Sequence, residues 1–278
     1  MAVPPAAVGQ VRFANASDGW AFDPERSDGA YTGLWATHDG GRHWRQVETR
    51  PVPSVAISGG TVWAIIGNVD GSTPTLHRST FTEAQFHALY MVPDRSAYVV
   101  ATGKSAFAVG VQAAGPVGSS LTVVDAAGAH QRTVPPCPGR DSGTSDFELA
   151  AVTEQRLVAV CSEQAGTGTQ PKSAFTSPDA GRTWTRRGDP PLGGYTGFFA
   201  GSIAATSRAT FISGVRSPVY RQLGNRPWRS VLNDGGSGDG FIYVGMTDDL
   251  HGVALNAQGA WLTLDGGDSW RKLSFGSR

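Results

Sequence analysis

The chain has 278 residues, including 37 Gly and 17 Pro, and only 17% of it is charged. Its 40% apolar share is enough for a sizeable core and argues against disorder, while the Gly and Pro content suits short strands and tight turns better than a helical bundle. Formal net charge is zero, which gives no electrostatic footprint for nucleic acid or an anionic membrane, and no apolar run reaches the roughly 18 residues of a membrane-spanning helix.

In chain order, Met1–Gln10 lacks the basic start and long apolar stretch of a signal peptide. Its Pro and Ala content also fits a mature domain that begins after a removed export segment, so such a segment is expected to be absent from this chain. Strand-like runs follow at Gln10–Phe13, Gly19–Phe22, Gly33–Ala36 and Trp44–Val47. Others lie at Thr61–Ile66, Ala97–Val100, Ala106–Val111, Leu149–Val152, Leu157–Cys161, Ile203–Ala205 and Thr210–Ser213. The series ends with Phe241–Gly245, Gly252–Leu255, Ala260–Leu262 and Trp270–Leu273. Short β-branched and aromatic runs at this density, punctuated by Gly, Asp and Ser, predict an all-β fold. No segment sustains a helical period over ten residues.

One phrase recurs: Thr37-His38-Asp39-Gly40-Gly41-Arg42-His43-Trp44, Ser177-Pro178-Asp179-Ala180-Gly181-Arg182-Thr183-Trp184 and Thr263-Leu264-Asp265-Gly266-Gly267-Asp268-Ser269-Trp270. The gaps between its Asp positions are 140 and 86 residues, multiples of a period close to one propeller blade. Worn copies fit between them. Ser79-Thr80-Phe81 through Phe86 keeps the first and last positions, Val123-Val124-Asp125 keeps the Asp, and the region from Leu223 keeps only Trp228. The resulting steps are 42, 44, 54, 44 and 42 residues. A four-stranded sheet of this size cannot bury both faces alone, so the blades must stack around an axis. The predicted architecture is a single domain over 1–278, a six-bladed β-propeller with four-stranded antiparallel blades at 8–49, 50–93, 94–136, 137–192, 193–236 and 237–278.

The repeated phrase predicts a structural turn between the third and fourth strands of a blade. Asp39, Asp179 and Asp265 would accept bonds from backbone N–H groups, as in Asx turns. Gly41, Gly181 and Gly267 would supply positive φ, and Trp44, Trp184 and Trp270 would pack beneath. This pattern resembles the Asp-box, or bacterial neuraminidase repeat. The first and last repeats also carry Asp18-Gly19-Trp20-Ala21-Phe22 and Leu250-His251-Gly252-Val253-Ala254, and so look like photosystem II stability/assembly-factor-like propellers. That resemblance implies a protein-binding scaffold outside the cytoplasm.

In such blades the long polar loops collect at the end opposite these turns, where function sits on a rigid frame. Candidate ligand-binding residues there are Asp23, Glu25, Arg26, Asp28, Tyr31, Arg95, Arg140, Glu163 and Arg216, although each charged group is also readable as a solvated loop residue. Cys137 precedes the first strand of the fourth repeat and Cys161 ends its second, so an antiparallel pair would bring them together as a disulfide, the sign of an oxidising compartment. The expected location is therefore secreted or cell-envelope.

Sialidases are also six-bladed propellers with Asp-boxes. Resemblance to them implies a cluster of Arg side chains on a substrate carboxylate, for which Arg26, Arg95, Arg140 and Arg216 are available, and a Tyr activated by a Glu. Tyr31 and Tyr195 have no evident Glu neighbour, Glu163 lies on a distant blade, and the Arg-Ile/Leu-Pro phrase of that family is absent beside Arg12. No nucleophile elbow, P-loop or zinc-ligand spacing is present, so no catalytic residue, metal or cofactor is assigned. Asn233-Asp234-Gly235-Gly236-Ser237-Gly238-Asp239 reads as a Gly-rich linker sooner than a calcium loop. The sequence reading is a monomeric, non-catalytic propeller that binds a protein or carbohydrate through its long loops. A sialidase-like glycosidase is the alternative, and a structural module of a larger secreted enzyme the third.

Overall fold

The computed structural model describes residues 9–23, 33–67, 73–83, 85–94, 96–111, 119–137, 146–162, 172–191, 201–214, 216–233 and 238–273. These residues form 24 strands and no helix. The strands make six antiparallel sheets, each of four strands consecutive in the chain, and the fold is the six-bladed β-propeller class expected from the repeat.

The chain divides into two compact units, Met1–Gly115 with Ser119–Val134, and Pro116–Gly118 with Pro135–Arg278. In the first unit, blade one holds β1 (Gln10–Phe13), β2 (Gly19–Phe22), β3 (Leu34–Thr37) and β4 (Arg45–Glu48). Blade two holds β5 (Ser54–Ser58), β6 (Thr61–Ile66), β7 (Thr75–Thr80) and β8 (His87–Met91). Blade three holds β9 (Ser96–Thr102), β10 (Ser105–Val111), β11 (Ser120–Asp125) and β12 (Gly128–Gln131). In the second unit, blade four holds β13 (Asp146–Ala151), β14 (Leu157–Ser162), β15 (Lys172–Ser177) and β16 (Thr185–Gly188). Blade five holds β17 (Gly201–Ala205), β18 (Ala209–Gly214), β19 (Ser217–Leu223) and β20 (Arg229–Leu232). Blade six holds β21 (Tyr243–Met246), β22 (Gly252–Asn256), β23 (Gly259–Thr263) and β24 (Arg271–Lys272).

Burial follows strand position within a blade. The second strand is covered on both faces and reads as a continuous small-apolar run, as in β10 and β14, instead of alternating. The fourth strand is an edge and is polar, as in Arg45–Glu48 and Thr185–Gly188. Within the first unit, Trp20, Phe22 and Leu34 pack with Val55, Val62 and Ile66, while Trp63, Ile65 and Leu76 pack with Val99 and Ala108. Within the second, Val160 and Ala174 meet Ile212, and Phe211 and Val219 meet Phe241, Val244 and Trp261. Each fully buried large side chain in these seams contributes about 1.5–3 kcal/mol.

A feature invisible in the sequence confirms the repeat. The ladder between third and fourth strands carries a bulge at Leu34/Trp35, Leu76/His77, Ala174/Phe175 and Val219/Tyr220. Blades two and five keep it although their turns have lost the Asp, so the backbone device outlasts the motif. The ladders of blades three and six carry no such bulge, and blade three also differs in its turn. Its β11–β12 connection is a tight turn at Ala126 and Ala127, with Asp125 Oδ1 accepting the Ala127 N–H at 2.8 Å.

Candidate functional site

The antiparallel order places the β1–β2 and β3–β4 types of turn at one end of each sheet, and the second-to-third-strand loops at the other. The turn end is a set of repeated hydrogen-bonded staples. Thr37 Oγ1 donates to Asp39 Oδ1 at 2.9 Å and accepts from the Gly41 N–H at 2.9 Å. Asp39 Oδ1 also accepts the Arg42 and His43 N–H groups, both at 2.9 Å. Ser177, Asp179, Gly181 and Thr183 repeat this arrangement, as do Thr263, Asp265, Gly267 and Ser269. The second carboxylate oxygen is taken as well: by the His43 ring at 2.6 Å, the Thr183 hydroxyl at 2.7 Å and the Ser269 hydroxyl at 2.6 Å.

The backbone of these turns needs two successive left-handed residues, Gly40–Gly41, Ala180–Gly181 and Gly266–Gly267, with φ between 59° and 84°. Trp44 and Trp270 come within 3.5 Å and 3.6 Å of where a Cβ on Gly41 and Gly267 would stand. Each turn is also tied to its neighbour in the same sheet. The N–H groups of Gly40, Ala180 and Gly266 donate to the carbonyls of Ser17, Gln155 and Leu250. In the second unit the first turns of successive blades are linked in series. Arg156 donates to the Ser207 carbonyl at 2.8 Å, and Ser207 donates its backbone N–H and its hydroxyl to Asp249.

These bonds depress the turn carboxylates. Asp39 is held well below its ordinary value, first by the His43 backbone N–H and then by the His43 side chain. Asp179 is lowered to about 2, chiefly by the Thr183 hydroxyl, and Asp265 to about 2, chiefly by the Ser269 hydroxyl. A carboxylate held ionised this strongly by its own loop is a poor proton donor or acceptor at neutral pH. The turn end is built for structure.

Of the residues the sequence offers as a site, Glu25, Arg26, Asp28, Tyr31, Arg95, Arg140, Glu163 and Tyr195 lie outside the described residues. Asp23 follows β2 and is half-buried. Arg216 occupies the β18–β19 turn, exposed, with φ of 58°, one of two described residues other than glycine at positive φ. Its N–H donates to the Asp239 carbonyl at 2.9 Å, and the Phe241 N–H is shared between the Gly214 and Ser217 carbonyls at 3.2 Å each. A side chain on Gly240 would collide with the backbone of this turn, so the segment before β21 lies flat against it. The Arg216 backbone is thus hydrogen-bonded to the segment before β21. At the far side of the candidate calcium loop, Asp239 and Gly240 serve as this buttress.

Two charged residues at the loop end are buried. Lys172 opens β15 and donates to Ser162 Oγ at 2.9 Å, and Asp94 precedes β9 at the loop end of blade three. The strand entering a blade is latched there in three ways. Gly67 donates to the Pro51 carbonyl at 2.8 Å in blade two, Ser120 donates to Asp94 in blade three, and Cys137 is bonded to Cys161 in blade four. The expected disulfide is present, with Cα atoms 5.4 Å apart. Among the described residues no three His, Cys, Asp or Glu side chains converge as a metal site.

No family model matches this chain, and no curated protein matches it by sequence. By structure it is similar to an ancestral GH74 enzyme, at 12% identity and a TM-score of 0.64, over 94% of this chain and 39% of that one. It is similar to the β-propeller domain of the Trilobed protease from Pyrococcus furiosus, described as having an open velcro topology, at 8% identity and a TM-score of 0.63, over 97% and 85% of the two chains. A prolyl endopeptidase matches at 9% identity and a TM-score of 0.56, over 96% and 42%. The chain therefore spans about two fifths of the GH74 and endopeptidase chains, and these likenesses establish the propeller fold alone.

Proposed function

We propose that this protein is a non-catalytic, extracytoplasmic propeller scaffold of the Asp-box type that binds a protein or carbohydrate ligand through the loop ends of its blades. The observation carrying this reading is Arg216. A left-handed conformation costs a residue with a Cβ about 1–2 kcal/mol, and here the chain bears that cost at a turn held by three backbone bonds. Strain retained at an exposed, hydrogen-bonded turn is characteristic of ligand-contacting positions. The turn end, where Asp39, Asp179 and Asp265 are engaged within their own loops, supports a structural role there. The disulfide fits an oxidising compartment.

The test compares wild type with Arg216→Gly and Arg216→Glu in affinity capture from the native host's envelope fraction. Leu264→Ser, an exposed substitution at the turn end, is the control. Arg216→Gly is expected to raise stability by roughly 0.5–1 kcal/mol, the relief of strain less the extra entropy of glycine, while both Arg216 variants lose the captured species and Leu264→Ser retains it. Capture unaffected at Arg216, or turnover of a fluorogenic sialoside or glycoside, would overturn the reading, the second outcome in favour of a glycosidase.

A further inference from the structure

The fourth strands that edge the blades differ in character. β4, β16, β20 and β24 each carry Arg, Lys or Glu, and β12, Gly-Ala-His-Gln, exposes no large apolar side chain. Charge is an ordinary guard of a sheet edge, whose outer N–H and C=O groups otherwise recruit another strand. β8, His87-Ala88-Leu89-Tyr90-Met91, has no such guard: it contains no Asp, Glu, Lys or Arg, and Leu89 is 41% exposed and Met91 67%. The bulge beside His77 does not replace the missing charge, because the charged edges of blades one, four and five carry a bulge too. Beyond it the ladder is regular. The Val92 N–H donates to the Pro74 carbonyl, so antiparallel alternation turns the Met91 N–H and carbonyl away from β7. Among the described residues nothing bonds them. The strand is also held in place: Thr122 of blade three donates to the Tyr90 hydroxyl at 3.1 Å, and Tyr90 packs on the cluster of Trp63 and Leu76.

We propose that β8 is a self-association edge, at which two copies of this chain join by antiparallel pairing of β8 with β8, and so depart from the monomer read in the sequence. Three observations select a second copy as the occupant. Self-pairing sets an uncharged strand against its own sequence, so no like charges are opposed, and in a two-fold contact each copy gives and receives the same backbone bonds. Zero net charge leaves no long-range repulsion between copies. Among the described fourth strands β8 alone combines exposed large apolar side chains with the lack of charge, so pairing consumes that edge and growth stops at two copies. Pairing also takes Leu89 and Met91 of both copies out of water. A junction of one short strand is small against the roughly 1,200 Å² of a standard interface, so the dimer is weak and concentration-dependent.

Sedimentation velocity tests this over a hundredfold range of protein concentration up to about 500 µM, where weak complexes populate, with amide hydrogen exchange followed at both ends of the range. The proteins are wild type, Leu89→Lys, Met91→Lys and, as a control at an exposed apolar residue of another blade, Leu264→Ser, each with its thermal midpoint measured in dilute solution. Wild type is expected to shift from the mass of one chain toward that of two as concentration rises, with slower exchange at the Met91 amide. Each lysine variant should raise the dissociation constant tenfold or more at an unchanged dilute midpoint, and Leu264→Ser should match wild type. A single-chain mass throughout, growth beyond two chains, association that the lysine variants leave intact, loss of association only together with a lowered midpoint, or no added protection at Met91 would each overturn the proposal. It is independent of the loop-end reading, which these measurements do not address.

Discussion

Phe211→Ala is expected to lower the unfolding free energy by about 3–5 kcal/mol, the range for an aromatic deleted from a closed core. Phe211 is fully buried in β18 and packs with Val219, Phe241, Val244 and Trp261. Its Cε1 lies 2.6 Å from where a Cβ on Gly267 would stand, so the ring also plugs the underside of the last turn. Alanine would leave a void that flanking strands, fixed by their own ladders, cannot collapse to fill. Urea unfolding reads this as a fall in the midpoint at constant slope. A loss below about 1 kcal/mol would show that the ring is not packed as described.

The second large effect is the disulfide. Cys137 and Cys161 are separated by 24 positions, and releasing a loop of that size costs about 3 kcal/mol in the chain-entropy account. The double substitution Cys137→Ala/Cys161→Ala, or reductant added to the wild type, is expected to lower stability by that amount. Cys161 is completely buried and paired in register with Phe147 and Ser173, so reduction should be slow until the protein opens. Equilibrium unfolding with and without reductant measures the loss. Intact mass before and after reduction must differ by two hydrogens, and an unchanged mass and stability would remove the bridge.

The parts of this structure legible in the sequence are those written into local patterns. Thr37 to Trp44 and its two good copies specify the inside of their turns, because the side-chain bonds there run between residues two to four positions apart. The strand runs and their period then give the sheets. Less legible were features created by distant segments. Nothing local distinguishes Asp94 from a solvated loop residue; its burial arises when the segment before β9 folds over Gly110 and Ser120. Lys172 is buried for a similar reason, by the closure of β14 on β15. The left-handed Arg216 has no sequence cue, since arginine has no preference for that conformation and the buttress comes from Asp239 to Phe241. The worn repeats are a middle case. Their side chains have changed, while the recurrent bulge beside His77 and Tyr220 preserves the geometry.

Acid titration of stability tests most directly the central claim that the repeated carboxylates are staples of the fold. Asp39, Asp179 and Asp265 titrate below their ordinary value of 3.8 in the folded protein. Asp18, Asp248 and Asp249, in the neighbouring turns, are lowered too, Asp18 chiefly by its bond to His38 and Asp248 to about 2, chiefly by the Leu250 N–H. Between these folded values and the unfolded one, the unfolded chain binds more protons, so stability rises with pH there. The contribution is fully present above about pH 4 and is lost as pH falls toward 2. The thermal midpoint of the wild type is expected to hold steady from pH 6 to 4 and then fall, while Asp39→Asn/Asp179→Asn/Asp265→Asn starts lower and declines less steeply over the same interval. An acid limb of the same steepness in that variant, from an unchanged starting midpoint, would contradict the account.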